Sequence, residues 1–147
     1  MFRSGDEPIP GYRLEKLLGC GGCGEVWKAT APGRTFTALK LINLGARGGL
    51  RELRGLQHVK NLRHGCLLPI YAIWILDYNE RILAEDELEK LWDSTAQAPG
   101  AAIQDLNQSI PALLVVSMML GEGNLFDRMQ ECQQAGYAGI PRDELLG

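Results

Sequence analysis

The sequence lacks any apolar run long enough to cross a bilayer: the longest, near Ile110 to Leu120, is about half a span. Its opening, Met1-Phe2-Arg3-Ser4-Gly5-Asp6-Glu7-Pro8, has no apolar core of the kind that marks a secretory leader. An excess of positive charge is also missing. Fifteen Lys and Arg stand against 18 Asp and Glu, a formal charge of −3, which offers no basic field to a nucleic-acid backbone. The four cysteines, Cys20, Cys23, Cys66 and Cys132, are scattered too unevenly for a disulfide framework, so a reducing, cytoplasmic setting is expected. His58 and His64 are the whole histidine content, and surface or capping use suits both. What is present, 147 residues of which 46% are hydrophobic, is ample for one modest core.

Against that background one motif stands out. Gly19-Cys20-Gly21-Gly22-Cys23-Gly24-Glu25-Val26 spells G-x-G-x-x-G-x-V, and Ala38-Leu39-Lys40 follows as A-x-K. Glycines at these points let a backbone pass close to phosphate oxygens and take turns that a Cβ would forbid. The same spacing marks dinucleotide-binding domains, where the loop opens a helix. Here Val26, Trp27 and Thr30 favour extended structure, Ala31-Pro32-Gly33-Arg34 reads as a turn, and Thr35 to Ile42 is a second β-rich run. That pattern is a hairpin and argues against the dinucleotide reading.

With strand, glycine turn, strand, turn and lysine-bearing strand in this order, the chain resembles the amino-terminal lobe of a eukaryotic-like bacterial serine/threonine protein kinase, of the type found in planctomycetes. Arg51 to His64 is similar to the kinase helix C and its exit, with Leu53, Leu56, Val59 and Leu62 spaced for one apolar face. Glu52 is the only acidic residue between Gly45 and Pro69, which makes it the natural partner of Lys40. Leu67 to Trp74 and Ala112 to Val116 correspond to the fourth and fifth strands. Ser117 to Leu125 resembles the hinge, and Leu125 to Gly147 resembles helix D, a loop and the start of helix E.

The resemblance implies an α+β fold: a five-stranded antiparallel sheet with helix C over residues 11–120, behind a polar lead-in at 1–10, and the beginning of a second lobe at 121–147. An insert of about 78–109 separates strands four and five, where residues 86–92 are expected to form a short amphipathic helix and 95–100 a linker. ATP is the implied ligand and a protein hydroxyl the implied acceptor. Lys40 would meet the phosphates, held by Glu52. Leu18, Val26 and Ala38 would roof the adenine, with Gly19, Cys20, Gly21, Gly22, Cys23 and Gly24 as the phosphate lid. Ser117, Met118, Met119 and Leu120 would line the hinge, with Ser117 beside the back pocket if a one-residue slip in alignment is set aside. No H-R-D with its asparagine and no D-F-G occurs, so the general base and the Mg2+ ligands of the family are missing from these 147 residues. These residues by themselves are therefore expected to be inactive.

Two other functions fit parts of the sequence. A non-catalytic, pseudokinase-like lobe would bind another protein through helix C or helix D. Cys20-Gly21-Gly22-Cys23 is also the spelling of half a zinc site or a redox pair, although the remaining candidates, His58, His64, Cys66 and Cys132, supply no second close pair.

Overall fold

The structure is a computed structural model that describes residues 2–22, 24–46, 48–64, 67–84, 86–90 and 111–146. Five strands form one antiparallel sheet: β1 (Arg13–Gly21), β2 (Gly24–Ala31), β3 (Thr35–Asn43), β4 (Ile70–Asp77) and β5 (Pro111–Met118), in the order β1-β2-β3-β5-β4. A helix, α1 (Gly49–Val59), lies between β3 and β4 in the chain, and α2 (Leu125–Gln134) and α3 (Arg142–Leu146) follow β5. Successive residues of a strand face opposite sides, so each strand feeds two layers. Ile42, Ile75, Leu114 and Val116 pack with Leu53 and Leu56 of α1, whereas Trp27, Leu39, Leu41, Leu76 and Val115 form the core of the other face with Ile9 and Leu14.

The second face is covered by the chain's own first residues. Gly5 N–H donates to the Leu14 carbonyl, Leu14 N–H donates to that of Asp6, and Tyr12 stacks edge-on against Trp74 at 5.0 Å. Ile9, 3% exposed, is part of this core, so the polar lead-in carries a buried anchor.

Two element boundaries differ from the sequence reading. The fourth strand begins at Ile70 rather than Leu67, because Pro69 has no N–H to give the ladder; its carbonyl instead accepts from Met119 N–H at 3.0 Å. The helix starts at Gly49 rather than Arg51 and ends at Val59, with residues 60–64 as its exit. Its apolar face is Leu53 and Leu56, while Val59 is 40% and Leu62 58% exposed, so a further turn would have had no core to cover.

After β4 the chain turns through residues 77–81, where buried Asp77 accepts from the backbone N–H of Asn79 (2.8 Å) and Arg81 (3.0 Å). Arg81 in turn makes a two-pronged contact with Glu87 at 2.8 and 3.0 Å. Residues 86–90 are helical and Leu88 packs on the α1-side core, as the amphipathic reading of this stretch expects. Trp92 and the linker expected at 95–100 lie outside the described residues. Beyond the sheet, Asn124 caps α2 by accepting from Asp127 N–H, and Arg128 ties α2 to α3 through Glu144 at 2.6 and 2.8 Å.

Candidate functional site: a glycine hairpin above a lysine–glutamate pair

β1 and β2 meet in a tight hairpin, with Gly19 opposite Val26, Cys20 opposite Glu25 and Gly21 opposite Gly24. Its glycines divide into two kinds. Gly24 has φ +145°, and a Cβ on it would stand 2.0 Å from the Leu41 carbonyl oxygen, so packing alone demands glycine there. A Cβ on Gly19, Gly21 or Gly22 would meet nothing within 4 Å. Among the described residues the fold gives no steric reason for glycine at those three positions. Cys20 is exposed on the same loop, and Cys23 lies outside the described residues.

The hairpin carries its register into β3, where Val26 stands opposite Lys40 and Lys28 opposite Ala38. Lys40 therefore leaves the sheet on the α1 side. Its Nζ meets Glu52 Oε2 at 2.7 Å, with both side chains about one-third exposed (31% and 34%). A close approach brings the start of α1 onto β3. A Cβ on Gly49 would lie 2.3 Å from the Asn43 carbonyl oxygen and 2.7 Å from Leu44 Cα, so the helix start sits directly on the end of β3, one turn from Glu52. An ion pair this exposed adds little to stability, ~1 kcal/mol or less. Its effect is to fix a flexible ammonium at one place on an open surface.

Beneath the pair is a cavity of about 910 Å³ between α1 and the sheet, lined by Lys40, Glu52, Leu56, Ile70, Val116 and Met118 among others. A separate hollow of about 450 Å³ opens on the other face, against Phe2, Glu25, Leu41 and Leu113, and does not reach Lys40.

Sheet parity corrects one expectation. Val116 is opposite Lys40 and Met118 opposite Ala38, so those two share the Lys40 face, while Ser117, opposite Leu39, points to the other. Ser117 is 1% exposed and donates to Thr37 Oγ1 at 2.9 Å, and Thr37 donates onward to the Met118 carbonyl at 2.7 Å. Met118, not Ser117, is thus the side chain beside the back cavity. Along β5, Ala112 to Val116 is apolar on both faces, so the sequence carries no alternation from which that parity follows. Counting from Lys40 across the ladder is the signal that finds it.

Ala38 is buried (6% exposed), Val26 is half-buried, and Leu18 sits exposed at a bulge of β1 between Leu17 and Gly19. Met119 is exposed and Leu120 half-buried just past β5. Residues read in the sequence only as parts of strands or of the helix face, Ile42, Leu56, Leu114 and Val116, supply the apolar lining next to Lys40. Among the described residues no group of three or more His, Cys, Asp or Glu could hold a metal ion, and no helix is long and apolar enough to cross a membrane.

No protein-family model matches the chain. Solved structures do resemble it. A crystal structure of the Mycobacterium tuberculosis PknI kinase domain matches with a TM-score of 0.53 and 18% identity, covering 99% of this chain and 46% of that one. A second structure of that domain gives 0.53 at 20% identity, covering 99% and 45%, and a doubly substituted form gives 0.54 at 18%. This chain thus spans less than half the length of the solved chains it matches. Its five-stranded antiparallel sheet and helices have the fold of the amino-terminal lobe of a protein kinase.

Proposed function

We propose that this chain is the ATP-binding amino-terminal part of a bacterial serine/threonine protein kinase. The observation that carries the reading is the Lys40–Glu52 contact of 2.7 Å, on the same sheet face as Val26 and Ala38 and joined through β2 to a hairpin with three glycines that the fold does not require. A triphosphate passing under Gly19, Gly21 and Gly22 would meet backbone N–H groups without interference from side chains. Lys40 would add a point charge at the phosphates, aimed by Glu52. Leu18, Val26 and Ala38 would cover one side of the adenine, with the backbone of Met119 and Leu120 at its edge.

In the complete protein the reaction would be transfer of the ATP γ-phosphoryl group to a serine or threonine hydroxyl of a protein, in the cytoplasm. Magnesium accompanies ATP in such transfers. The carboxylate nearest the site, Glu52, is already bonded to Lys40, so no residue described here is assigned to the metal and no step is routed through it. Because transfer rests on positioning and charge neutralisation, 147 residues without H-R-D and D-F-G are expected to bind nucleotide and transfer nothing.

An NMR titration of the chain with ATP tests the binding claim. Amide signals of Gly19, Gly21, Gly22 and Lys40 are expected to shift together and saturate. Shifts confined to α2, or none at millimolar ATP, would reject it.

A further inference from the structure

Charge is distributed unevenly in this acidic chain. Residues 45–69 hold five of the fifteen Lys and Arg, both histidines, and one of the eighteen acids; that segment is +4, and the rest, with ten basic and seventeen acidic residues, is −7. The one acid is Glu52, turned toward Lys40. Arg51, Arg54 and His58 fall within about 60° of one another around α1, on the side away from Leu53 and Leu56. Where the helix ends, Lys60, Arg63 and His64 rim a hollow of about 190 Å³ walled by Leu62, Leu67 and Pro69. Leu62 and Leu67 are 58% and 45% exposed there, so large apolar side chains stand at the surface inside a cationic rim.

Folding does not account for this arrangement. Arg51 lies in the first turn of α1, the end where the helix dipole disfavours a cation. Arg51 and Arg54 are three residues apart, a spacing at which like charges repel. Arg54 Nε is buried without a hydrogen-bond partner, an arrangement that is unfavourable in the free chain. The first two of these features are relieved by an anionic group arriving from outside. A nucleic-acid backbone would use the charges and leave Leu62 and Leu67 bare.

We infer that the outer side of α1 and its exit dock an acidic peptide segment of a partner protein. One large apolar side chain of the segment enters the hollow between Leu62, Leu67 and Pro69, while flanking carboxylates meet Lys60, Arg63 and the arginines of α1. Arg51 also lines the cavity beneath Lys40, whereas Lys60, Arg63 and the hollow lie at the exit of α1, and docking there does not depend on nucleotide binding.

The test is fluorescence anisotropy of a labelled peptide of about ten residues, Asp and Glu flanking a single Leu, titrated with the full 147-residue chain at low and physiological salt. Saturable binding is expected, weakened roughly tenfold or more by Lys60→Glu with Arg63→Glu and by Leu→Ser in the peptide, and reduced by salt. Arg63 is exposed and Lys60 half-buried, and a melting curve matching the parent's confirms the fold of the variant; Leu62→Ser, 58% exposed in the wall of the hollow, gives an independent second test with the same expected loss of binding. Absence of saturable binding, indifference to the charge reversals, or equally tight binding of a single-stranded oligonucleotide would overturn the inference.

Discussion

Replacing Gly24 and Gly21 separately by Ala tests whether the hairpin glycines serve two different ends. At Gly24 the new methyl would lie 2.0 Å from the Leu41 carbonyl oxygen and 3.0 Å from its carbon. Both are backbone atoms held in the β2–β3 ladder by the pairs Glu25↔Leu41 and Val26↔Lys40, so relief requires the ladder itself to open. A backbone conformation reserved largely for glycine costs about 1–3 kcal/mol, and loosening a ladder hydrogen bond costs about 1 more. The sum is ~3 kcal/mol, which for a chain of this size lowers Tm by about 10 °C. Gly21→Ala adds a methyl to open space and should stay within about 0.5 kcal/mol of the parent. It should nevertheless lose roughly tenfold or more in ATP affinity, because the methyl occupies the space assigned to phosphate. Circular-dichroism melts and calorimetric ATP titrations of both variants measure the two effects separately. If Gly21→Ala melts as low as Gly24→Ala, or binds ATP as well as the parent, the division of the glycines is wrong.

Glu52→Gln should change stability by less than about 1 kcal/mol, since the pair is partly solvated, yet weaken ATP binding severalfold in calorimetry; unchanged affinity would detach the pair from the nucleotide. Ser117→Ala should cost about 1 kcal/mol through the lost bond to Thr37 and leave ligand size selectivity alone, whereas Met118→Ala should admit purine analogues with bulky substituents; the opposite pattern in competition assays would contradict the register. The backbone N–H of Arg81 holds the Asp77 carboxyl below its usual range, and the Arg81 guanidinium lowers Glu87 to about 2. A depressed carboxylate stabilises the fold above its unfolded pKa, so this contribution is complete above about pH 5 and is lost as pH falls toward 2. Melts of Asp77→Asn with Glu87→Gln against the parent should therefore converge on acidification, and a difference that widens instead would reverse the sign.

The parts of the fold and site that were legible in the sequence are those set by local chemistry. Pro32 and Gly33 punctuate two β-rich runs, which placed Lys40 on the third strand, and elimination among the acids between Gly45 and Pro69 left Glu52 as its partner. The illegible parts depend on pairing between distant segments. Whether Ser117 or Met118 faces the cavity is decided by which β3 residue stands opposite, and a strand buried on both faces gives no periodic hint. The end of α1 depends on how much sheet remains for Leu62 to cover, and the anchor at Ile9 needs the outer face of the sheet to exist first. Gly49 shows the same limit, since its near contact with Asn43 appears only once helix and strand are in place.

The most direct measurement is affinity labelling of the chain with an acyl-phosphate derivative of ATP, which acylates lysines lying against bound phosphates, followed by mass-spectrometric mapping. The account predicts modification of Lys40 ahead of Lys16, Lys28, Lys60 and Lys90, suppressed by excess ATP and diminished by Gly21→Ala. Labelling spread over all five lysines, or labelling of Lys40 that excess ATP does not reduce, would contradict it.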